Sequence, residues 1–369
     1  MNNAKILIVE NEEPQKISYL DTIDNFNKKS SVKIIAEVVN NLEDALKAVS
    51  EDTFDGAILD LRLNNTSSEA SGNEIIRSIV DLKRFPIFIY SGFVGDLDPT
   101  IPKSIFFQVY EKSMDFNILL KSFADIFKTG VTRILGKRGI LQEYLDKVFW
   151  THLSGTLEYW MDEKNEKTLL RHALTHVIEY LEINEKGSFV NYNPAEVYIK
   201  PPIKPFIFTG SILENKDKEL SIVLSPACDL AHFGKTKQVL LARIEPLNTP
   251  LIEDQKNILR RPIKPDLKPD EYAKDYAKRE QAKAVLREIF TNNYAHKYHF
   301  LPDCNYFDGG LINFQNIQTI THEGAEAYSQ IASVTSSFGK DIIARFSYYY
   351  SRQGSPDFDF DKLLKKHTS

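Results

Sequence analysis

Four short apolar runs in the first third of the chain each precede a polar residue, and this pattern most restricts the possible folds. The polar residues are Glu10, Asp60, Ser91 and Lys112, and the apolar runs lie at 6–9, 57–59, 87–90 and 105–110. Short continuous apolar runs are typical of strands buried on both faces of a parallel sheet. The carboxyl ends of parallel strands lie at one edge of the sheet, where open α/β sheets bind their ligands. We therefore expect the four polar side chains to lie close together.

The same region predicts five strands that alternate with helices. The apolar runs place strands at 5–9, 32–39, 57–61, 87–90 and 105–110. Pro14 followed by Ile17, Leu20 and Ile23 predicts a first helix, and helical spacing of apolar residues predicts two more over Leu42–Val49 and Ile75–Val80. This alternation predicts an α/β fold with right-handed crossovers and helices on both faces of the sheet.

An aspartate surrounded by an acid, a hydroxyl and a lysine suits the covalent attachment of a phosphoryl group. A carboxylate that attacks a phosphorylated donor needs a divalent cation, because the cation reduces the repulsion between two anions. Hard cations prefer oxygen ligands, so Glu10, Asn11, Glu12 and Asp60 are candidate metal ligands. Lys112 is suited to neutralise one phosphoryl oxygen, and Ser91 to donate a hydrogen bond to another. The alternative is that each polar residue simply begins a loop.

Several segments of residues 1–129 occur together in one known protein family. They are ILIVENEEP, EDALKAVSEDTFDGAILDLRL, SGNEII and IFIYSG, followed by Lys112. In this combination they resemble a response-regulator receiver domain. The resemblance implies a flavodoxin-like fold with a five-stranded parallel sheet. It also implies that a sensor histidine kinase transfers a phosphoryl group to Asp60.

The resemblance further implies roles for the residues around the phosphoacceptor. The implied catalytic residues are Asp60, Ser91 and Lys112, and the implied Mg²⁺ ligands are Glu10, Asn11, Asp60 and the backbone carbonyl of Arg62. Asn11 stands where the family usually has a second acid. Because an amide oxygen carries no net charge, this departure predicts weaker binding of Mg²⁺.

A second departure concerns the segment between the fourth and fifth strands. Pro99 and Pro102 interrupt the stretch that would form a helix in the family, because proline removes a backbone donor and clashes with the preceding turn. This departure predicts that the usual output surface of a receiver domain is altered.

The length of 369 residues predicts more than one domain, since single cores usually stop growing at roughly 250–300 residues. We expect a receiver domain at 1–129, a helical linker region at 130–190 and an α+β domain at 191–369. The linker region lacks proline between Val131 and Glu182, whereas the extended segment KPPIKPF begins at Lys200. Within the last domain, strands are predicted at 206–210, 220–224, 238–244, 298–301 and 310–314, and helices at 270–293 and 324–350.

Composition and charge narrow the expected surroundings and partners. The sequence has no apolar stretch near the ~20 residues that span a bilayer, and its two cysteines fit a reducing compartment, so we expect a cytoplasmic protein. Residues 1–129 hold 14 basic and 20 acidic residues, which leaves 46 − 14 = 32 basic and 51 − 20 = 31 acidic in the remainder. Neither part is strongly basic, and no helix-turn-helix signature follows residue 129. DNA is therefore not an expected partner.

Two histidines in the linker region stand four residues apart and thus share one helical face. His172 and His176 have the spacing of a metal-binding pair, and a histidine on a helix is also able to accept a phosphoryl group. The third alternative is a packed or solvated structural role.

The densest polar cluster of the last domain surrounds two cysteines. Cys228 and His232 form a Cys-x3-His pair, and His299 and Cys304 form a His-x4-Cys pair. Such a mixed sulfur and nitrogen set is one that Zn²⁺ accepts. Two alternatives are that Cys228 is a thiol nucleophile assisted by His232, and that Cys228 is a small buried apolar residue.

The segments YIKPPI, FTGSI, VLSPACDLAH and GGLINFQ accompany the receiver-like part of the chain. This combination is similar to receiver-containing proteins of bacterial conflict systems, including anti-phage phosphorelays of the Detocs type. The resemblance implies a phosphoacceptor that regulates or buffers a defence pathway, with a sensor kinase and an effector of the same operon as partners. A homodimer is a separate expectation. No enzymatic activity is expected beyond phosphorylation and dephosphorylation at Asp60. The alternative is a receiver-switched enzyme or zinc-binding effector with its site near Cys228 and His232.

Overall fold

The structure is a computed structural model of the 369-residue chain. It describes residues 3–51, 53–61, 76, 84–101, 104–136, 139–161, 165–231, 237–263, 268–325, 327–352 and 357–368. The chain divides into two compact units, Met1–Val190 and Asn191–Ser369. Some predictions concern residues outside these ranges. These residues are Arg62, Pro102, His232 and, apart from Ile76, the predicted helix over Ile75–Val80.

The first unit contains a five-stranded parallel sheet, as the apolar runs predict. Its strands are β1 Asn3–Val9, β2 Lys33–Val39, β3 Gly56–Leu59, β4 Ile87–Ser91 and β5 Phe107–Glu111. They lie in the order β2-β1-β3-β4-β5, and all neighbouring pairs are parallel. This order is that of the flavodoxin-like fold, so the fold-class prediction for this part of the chain is confirmed.

Helices cover both faces of this sheet. They are α1 Glu13–Lys29, α2 Leu42–Glu51 and α3 Phe116–Lys128. Successive residues of a strand point to opposite faces. Accordingly Ile6 and Ile8 pack with α1 and α3, while Leu7 and Val9 pack with residues of α2. Among the described residues both faces of the sheet are thus covered, and a site is expected at its edges.

The apolar spacing in α1 gives a partly wrong view of its buried face. Of the residues that suggested the helix, Ile23 is buried, but Ile17 and Leu20 are exposed. The helix instead packs on the sheet through Tyr19 and Ile23, which are four residues apart and therefore share one face.

The connection between β4 and β5 lacks a regular helix in its described residues, as the prolines in this segment predict. Among its described residues there is no α-helix, and Val94–Asp96 form a short 3₁₀ turn. A tight turn follows, in which the backbones of Ser104 and Phe107 bond each other at 3.1 Å in both directions. The surface between these two strands is therefore built from irregular chain.

The remainder of the first unit is helical, as the sequence predicts. Its elements are α4 Val131–Leu135, α5 Ile140–Lys147, a π-helical segment Val148–Leu153, α6 Leu157–Met161 and α7 Glu166–Leu181. Val148 and Val177 are buried where α5, the π-helical segment and α7 meet.

The second unit is an α+β structure around an antiparallel sheet, which confirms the predicted class. Its strands are β6 Tyr198–Ile199, β7 Ser211–Glu214, β8 Leu220–Val223, β9 Gln238–Glu245, β10 Tyr298–Leu301, β11 Gly310–Thr321 and β12 Ser329–Val334. The sheet order is β10-β11-β9-β8-β7-β12-β6. Its helices are α8 Ala227–Leu230, α9 Pro250–Arg260, α10 Pro269–Phe290, α11 His322–Ala325, α12 Ser336–Ser351 and α13 Phe360–Thr368.

Two predictions for this unit are wrong in detail. The strand expected at 206–210 lies instead at Ser211–Glu214. The long helix expected over 324–350 is divided by β12, in which Ala332 and Val334 are buried at the two-residue spacing of a strand. β12 pairs with both β7 and β6, so hydrogen bonds within the sheet favour a strand in this segment.

Within the described part of the chain, no helix combines the length and apolar character needed to cross a membrane.

Candidate functional site

The carboxyl ends of four strands bring Glu10, Asp60, Ser91 and Lys112 together at one edge of the parallel sheet. Glu10 directly follows β1, Asp60 follows β3, Ser91 ends β4, and Lys112 follows β5. Backbone hydrogen bonds extend the sheet through this edge, from the Asp60 N–H to Val9 at 3.1 Å and from the Lys112 N–H to Ser91 at 3.1 Å. The side chains are thus positioned by the sheet itself.

Lys112 connects the two carboxylates of the site. Its Nζ donates to Glu10 Oε2 and to Asp60 Oδ2, each at 2.7 Å. The side chain of Glu10 is 1% exposed and that of Asp60 9%. Burial disfavours the charged ammonium of Lys112, but hydrogen bonds and charges from Asp60 and Glu10 outweigh it, so its pKa is raised. Lys112 therefore remains a cation between the two acids.

Ser91 holds the other oxygen of Asp60. Its Oγ donates to Asp60 Oδ1 at 2.6 Å, and the same Oγ accepts from the Phe93 N–H at 3.2 Å. Ser91 is completely buried. The two oxygens of Asp60 are thus oriented separately, one by a hydroxyl and one by an ammonium.

Tyr19 belongs to the site, although the sequence analysis did not identify it. Its hydroxyl donates to Glu10 Oε2 at 3.2 Å, and its ring stacks on Phe116 at 4.5 Å. Burial and the neighbouring Glu10 raise the pKa of Tyr19, so the phenol remains a donor. The i, i+4 pair of Tyr19 and Ile23 was the signal in the sequence for this buried face.

The donor atoms around Asp60 fit a hard divalent cation. Glu10 and Asp60 supply carboxylate oxygens, and half-buried Asn11 directly follows Glu10. Glu10 Oε1 accepts from the Glu12 N–H at 3.0 Å, which fixes the orientation of that carboxylate. This oxygen-only set matches the preference of Mg²⁺. The Arg62 carbonyl, implied as a further ligand, lies outside the described residues.

His172 and His176 lie in a cluster of aromatic rings. The His172 and His176 rings are 4.4 Å apart, and His152 of the π-helical segment lies 4.8 Å from His176. His152 Nε2 pairs with the Tyr180 hydroxyl at 2.8 Å, and His176 Nδ1 lies 2.9 Å from the His172 carbonyl. Among the described residues, no three His, Cys, Asp or Glu side chains form a group able to hold a metal ion. The packed arrangement favours the structural role, and phosphoryl acceptance stays a prediction.

The second unit does not bring together the described members of the predicted zinc site. Cys228, His299 and Cys304 form no metal-binding group among the residues described, and His232 is not described. Cys228 is exposed, so its interpretation as a buried apolar residue is wrong. Cys304 is partly buried against the core of the sheet. His299 is buried on β10, and its Nε2 bonds Asp341 at 3.1 Å. Pairing of β10 with β11 and the hydrogen bond with Asp341 position His299.

Asp341 makes a pH-dependent contribution to the second unit. The hydrogen bond with His299 lowers the pKa of the Asp341 carboxyl from 3.8 to about 2. Partial burial opposes this change, and Arg345 adds to it. The folded carboxylate therefore binds a proton less tightly than the unfolded one. The resulting stability is present above about pH 4 and is lost as the pH falls towards about 2.

We expect Asp341→Asn to reduce the acid sensitivity of the second unit, because the amide does not titrate. Calorimetric melting of the full chain between about pH 5 and about pH 2 measures this as a shallower fall in melting temperature. Asp254→Asn on α9, where the side chain is exposed, serves as the control and is expected to keep the original pH dependence. Equal slopes for both variants would contradict the assignment.

Comparison with known proteins finds no matching family model and no matching curated protein. Among solved structures, the chain is similar to the N-terminal domain of a response regulator/sensory box/GGDEF protein from Carboxydothermus hydrogenoformans. That alignment has 18% identity and a TM-score of 0.27, and covers 34% of this chain and 98% of the other. A response regulator receiver protein from Sinorhizobium medicae aligns at 15% identity, with 34% and 95% coverage and a TM-score of 0.27.

A third similar structure is the receiver domain of a sensor histidine kinase from Pseudomonas aeruginosa, with a magnesium ion coordinated in its active-site cleft. It aligns at 16% identity and a TM-score of 0.27, and covers 33% of this chain and 96% of the other. The flavodoxin-like fold of the first unit follows independently from its own strand order.

Proposed function

We propose that the first unit is a phosphoacceptor domain of a two-component phosphorelay, and that Asp60 receives the phosphoryl group. The observation that carries this proposal is the contact of Lys112 Nζ with both Glu10 and Asp60 at 2.7 Å. A lysine held between two buried acids is already placed to neutralise a new anion on either of them. Preorganised charge of this kind stabilises phosphoryl transfer without further rearrangement.

The reaction assigns one task to each side chain. Asp60 Oδ2 or Oδ1 attacks the phosphorus of a phosphorylated donor, the bond from phosphorus to the donor breaks, and an acyl phosphate forms on the carboxylate. Lys112 neutralises one phosphoryl oxygen. The Ser91 hydroxyl, which first donates to Asp60, then donates its hydrogen bond to another phosphoryl oxygen. Tyr19 keeps Glu10 in place.

Glu10, Asn11 and Asp60 would hold Mg²⁺. When bound, the cation reduces the repulsion between the Asp60 carboxylate and the incoming phosphoryl oxygens. Its oxygen ligands are oriented by the Glu12 N–H and the Tyr19 hydroxyl, which bind the two oxygens of Glu10.

We expect the purified chain to incorporate one phosphoryl group from acetyl phosphate in the presence of Mg²⁺, and Asp60→Asn to abolish this incorporation. The asparagine amide cannot form the acyl phosphate. Intact-mass spectrometry measures the product as a gain of about 80 Da. Asp21→Asn is the matched control, because Asp21 is exposed on α1. If Asp60→Asn incorporates a phosphoryl group at the original rate, Asp60 is not the acceptor. The proposal is also contradicted if the original chain incorporates no phosphoryl group from either acetyl phosphate or phosphoramidate.

A sensor histidine kinase is the proposed donor in the cell. The resemblance of the C-terminal segments to anti-phage phosphorelay proteins supports a further proposal, in which the chain regulates or buffers a defence effector of the same operon. Phosphotransfer from a kinase encoded beside this gene tests the first proposal. Loss of phage protection (for regulation) or impaired growth without phage (for buffering) in a strain that carries Asp60→Asn, but not in one that carries Asp21→Asn, tests the second.

A further inference from the structure

The first unit contains a cavity of about 290 Å³ at the edge of the parallel sheet opposite to Asp60. Ile87 and Phe107, which begin β4 and β5, form its inner wall, and both are buried. Val131 and Leu135 of α4 also line it. The cavity is therefore separate from the phosphoacceptor site, which lies at the carboxyl ends of the same strands.

The irregular connection between β4 and β5 supplies the rim of this cavity. Ile101 and Phe106 line it, and Phe106 is 47% exposed. An engineered apolar cavity of about 150 Å³ accepts benzene. A cavity nearly twice as large, with one side open, thus has room for about two fused aromatic rings.

Two polar groups at this cavity favour an anion. Arg84 lines the cavity, is exposed, and has no ion pair in the described part of the chain. The Ser104 Oγ accepts from the Phe106 N–H at 3.2 Å, which leaves its own proton to donate. Thr132 also lines the cavity, but its hydroxyl already donates to Asp55 at 2.9 Å. The polar side of a ligand is therefore expected to face Arg84 and Ser104.

We propose that this cavity binds a flat aromatic carboxylate of about two fused rings, with the rings between β4, β5 and α4 and the carboxylate on Arg84. Guanidinium and carboxylate groups form paired, charge-assisted hydrogen bonds. The apolar walls supply the remaining affinity through burial of the rings. This binding site is independent of the proposed phosphoacceptor function.

The full-length chain titrated with 2-naphthoate tests the proposal. Methyl NMR is expected to show shifts concentrated at Ile87, Ile101, Val131 and Leu135. Arg84→Gln is expected to weaken binding about fivefold, since one charge-assisted contact at an exposed position is lost. The matched control is Lys128→Gln on α3, whose exposed side chain pairs with Asp125, and it is expected to bind as the original chain does.

A neutral ligand of the same shape separates charge from shape. We expect 2-naphthamide to bind the original chain about fivefold more weakly than 2-naphthoate, and to bind Arg84→Gln and the original chain equally. Leu135→Trp, folded by its NMR spectrum, is expected to block both ligands by filling the cavity. Shifts at other methyl groups only, equal affinity of the two ligands, or unchanged binding by Arg84→Gln would each overturn the proposal.

Discussion

Replacing Lys112 with methionine is expected to destabilise the phosphoacceptor edge strongly at neutral and alkaline pH. Lys112 is the cation bonded to both Glu10 and Asp60, whose side chains are 1% and 9% exposed. Without it, two carboxylates face each other in a site of low polarity. Removal of one partner from a buried ion pair usually costs about 3–5 kcal/mol, and we expect about 3 kcal/mol here because Ser91 and Tyr19 keep their hydrogen bonds.

The loss caused by Lys112→Met is expected to depend on pH in a defined direction. The folded variant gains by taking up a proton between its two acids, so it binds that proton more tightly than the unfolded chain does. Stability of the variant therefore rises as the pH falls, and its deficit is larger near pH 8 than near pH 5. Hydrogen exchange of peptides from β1 and β3, corrected for intrinsic rates, measures this locally.

Mg²⁺ is expected to recover part of this stability, because a cation held by Glu10, Asn11 and Asp60 would supply positive charge in place of the missing ammonium. Lys128→Met is the control for the loss of a lysine, since Lys128 is about half exposed. Hydrogen exchange of the β1 and β3 peptides in Lys128→Met is expected to match that of the original chain at each pH. Equal protection of Lys112→Met and the original chain near pH 8 would contradict the role of Lys112 as the counter-charge.

The sequence predicts the phosphoacceptor edge well because the determinants are local. Continuous apolar runs directly precede Glu10, Asp60 and Ser91, so these polar residues are expected at the edge of the sheet. Tyr19 was missed for the opposite reason. Its contact with Glu10 depends on how α1 packs against the sheet, and Ile17 and Leu20 on the same helix suggested a different face.

The second unit is less predictable because its strands depend on partners far away in the chain. Ser329–Val334 pairs with β7 and β6, more than 100 residues earlier. Cys228 and Cys304 lie on a short helix and in a tight turn, and their spacing in the sequence gives no information on their separation in space. A metal site inferred from such spacing therefore requires the sheet topology, which the sequence pattern did not supply.

Asn11→Asp is expected to raise the affinity of the site for Mg²⁺ about tenfold, because the number of charged ligands largely sets the affinity of a hard-cation site. Asn11 is half-buried and directly follows Glu10 in the chain, so we expect the new carboxylate to add its charge to that of Glu10 and Asp60. Without Mg²⁺ the variant is expected to be less stable than the original chain, since a third acid then shares the charge of Lys112. Isothermal titration calorimetry with MgCl₂ measures the affinity, and melting with and without Mg²⁺ measures the linked stability.

The matched control for Asn11→Asp is Asn25→Asp, which adds the same charge at an exposed position of α1. We expect its Mg²⁺ affinity to stay within about twofold of the original value, because a distant exposed charge is screened. If both variants bind Mg²⁺ equally well, the side chain at position 11 is not a metal ligand. If Asn11→Asp alone binds more tightly and also accepts phosphate from acetyl phosphate at lower Mg²⁺ concentrations, the amide at this position is what limits metal binding. Asn11 would then set the Mg²⁺ concentration at which Asp60 becomes phosphorylated.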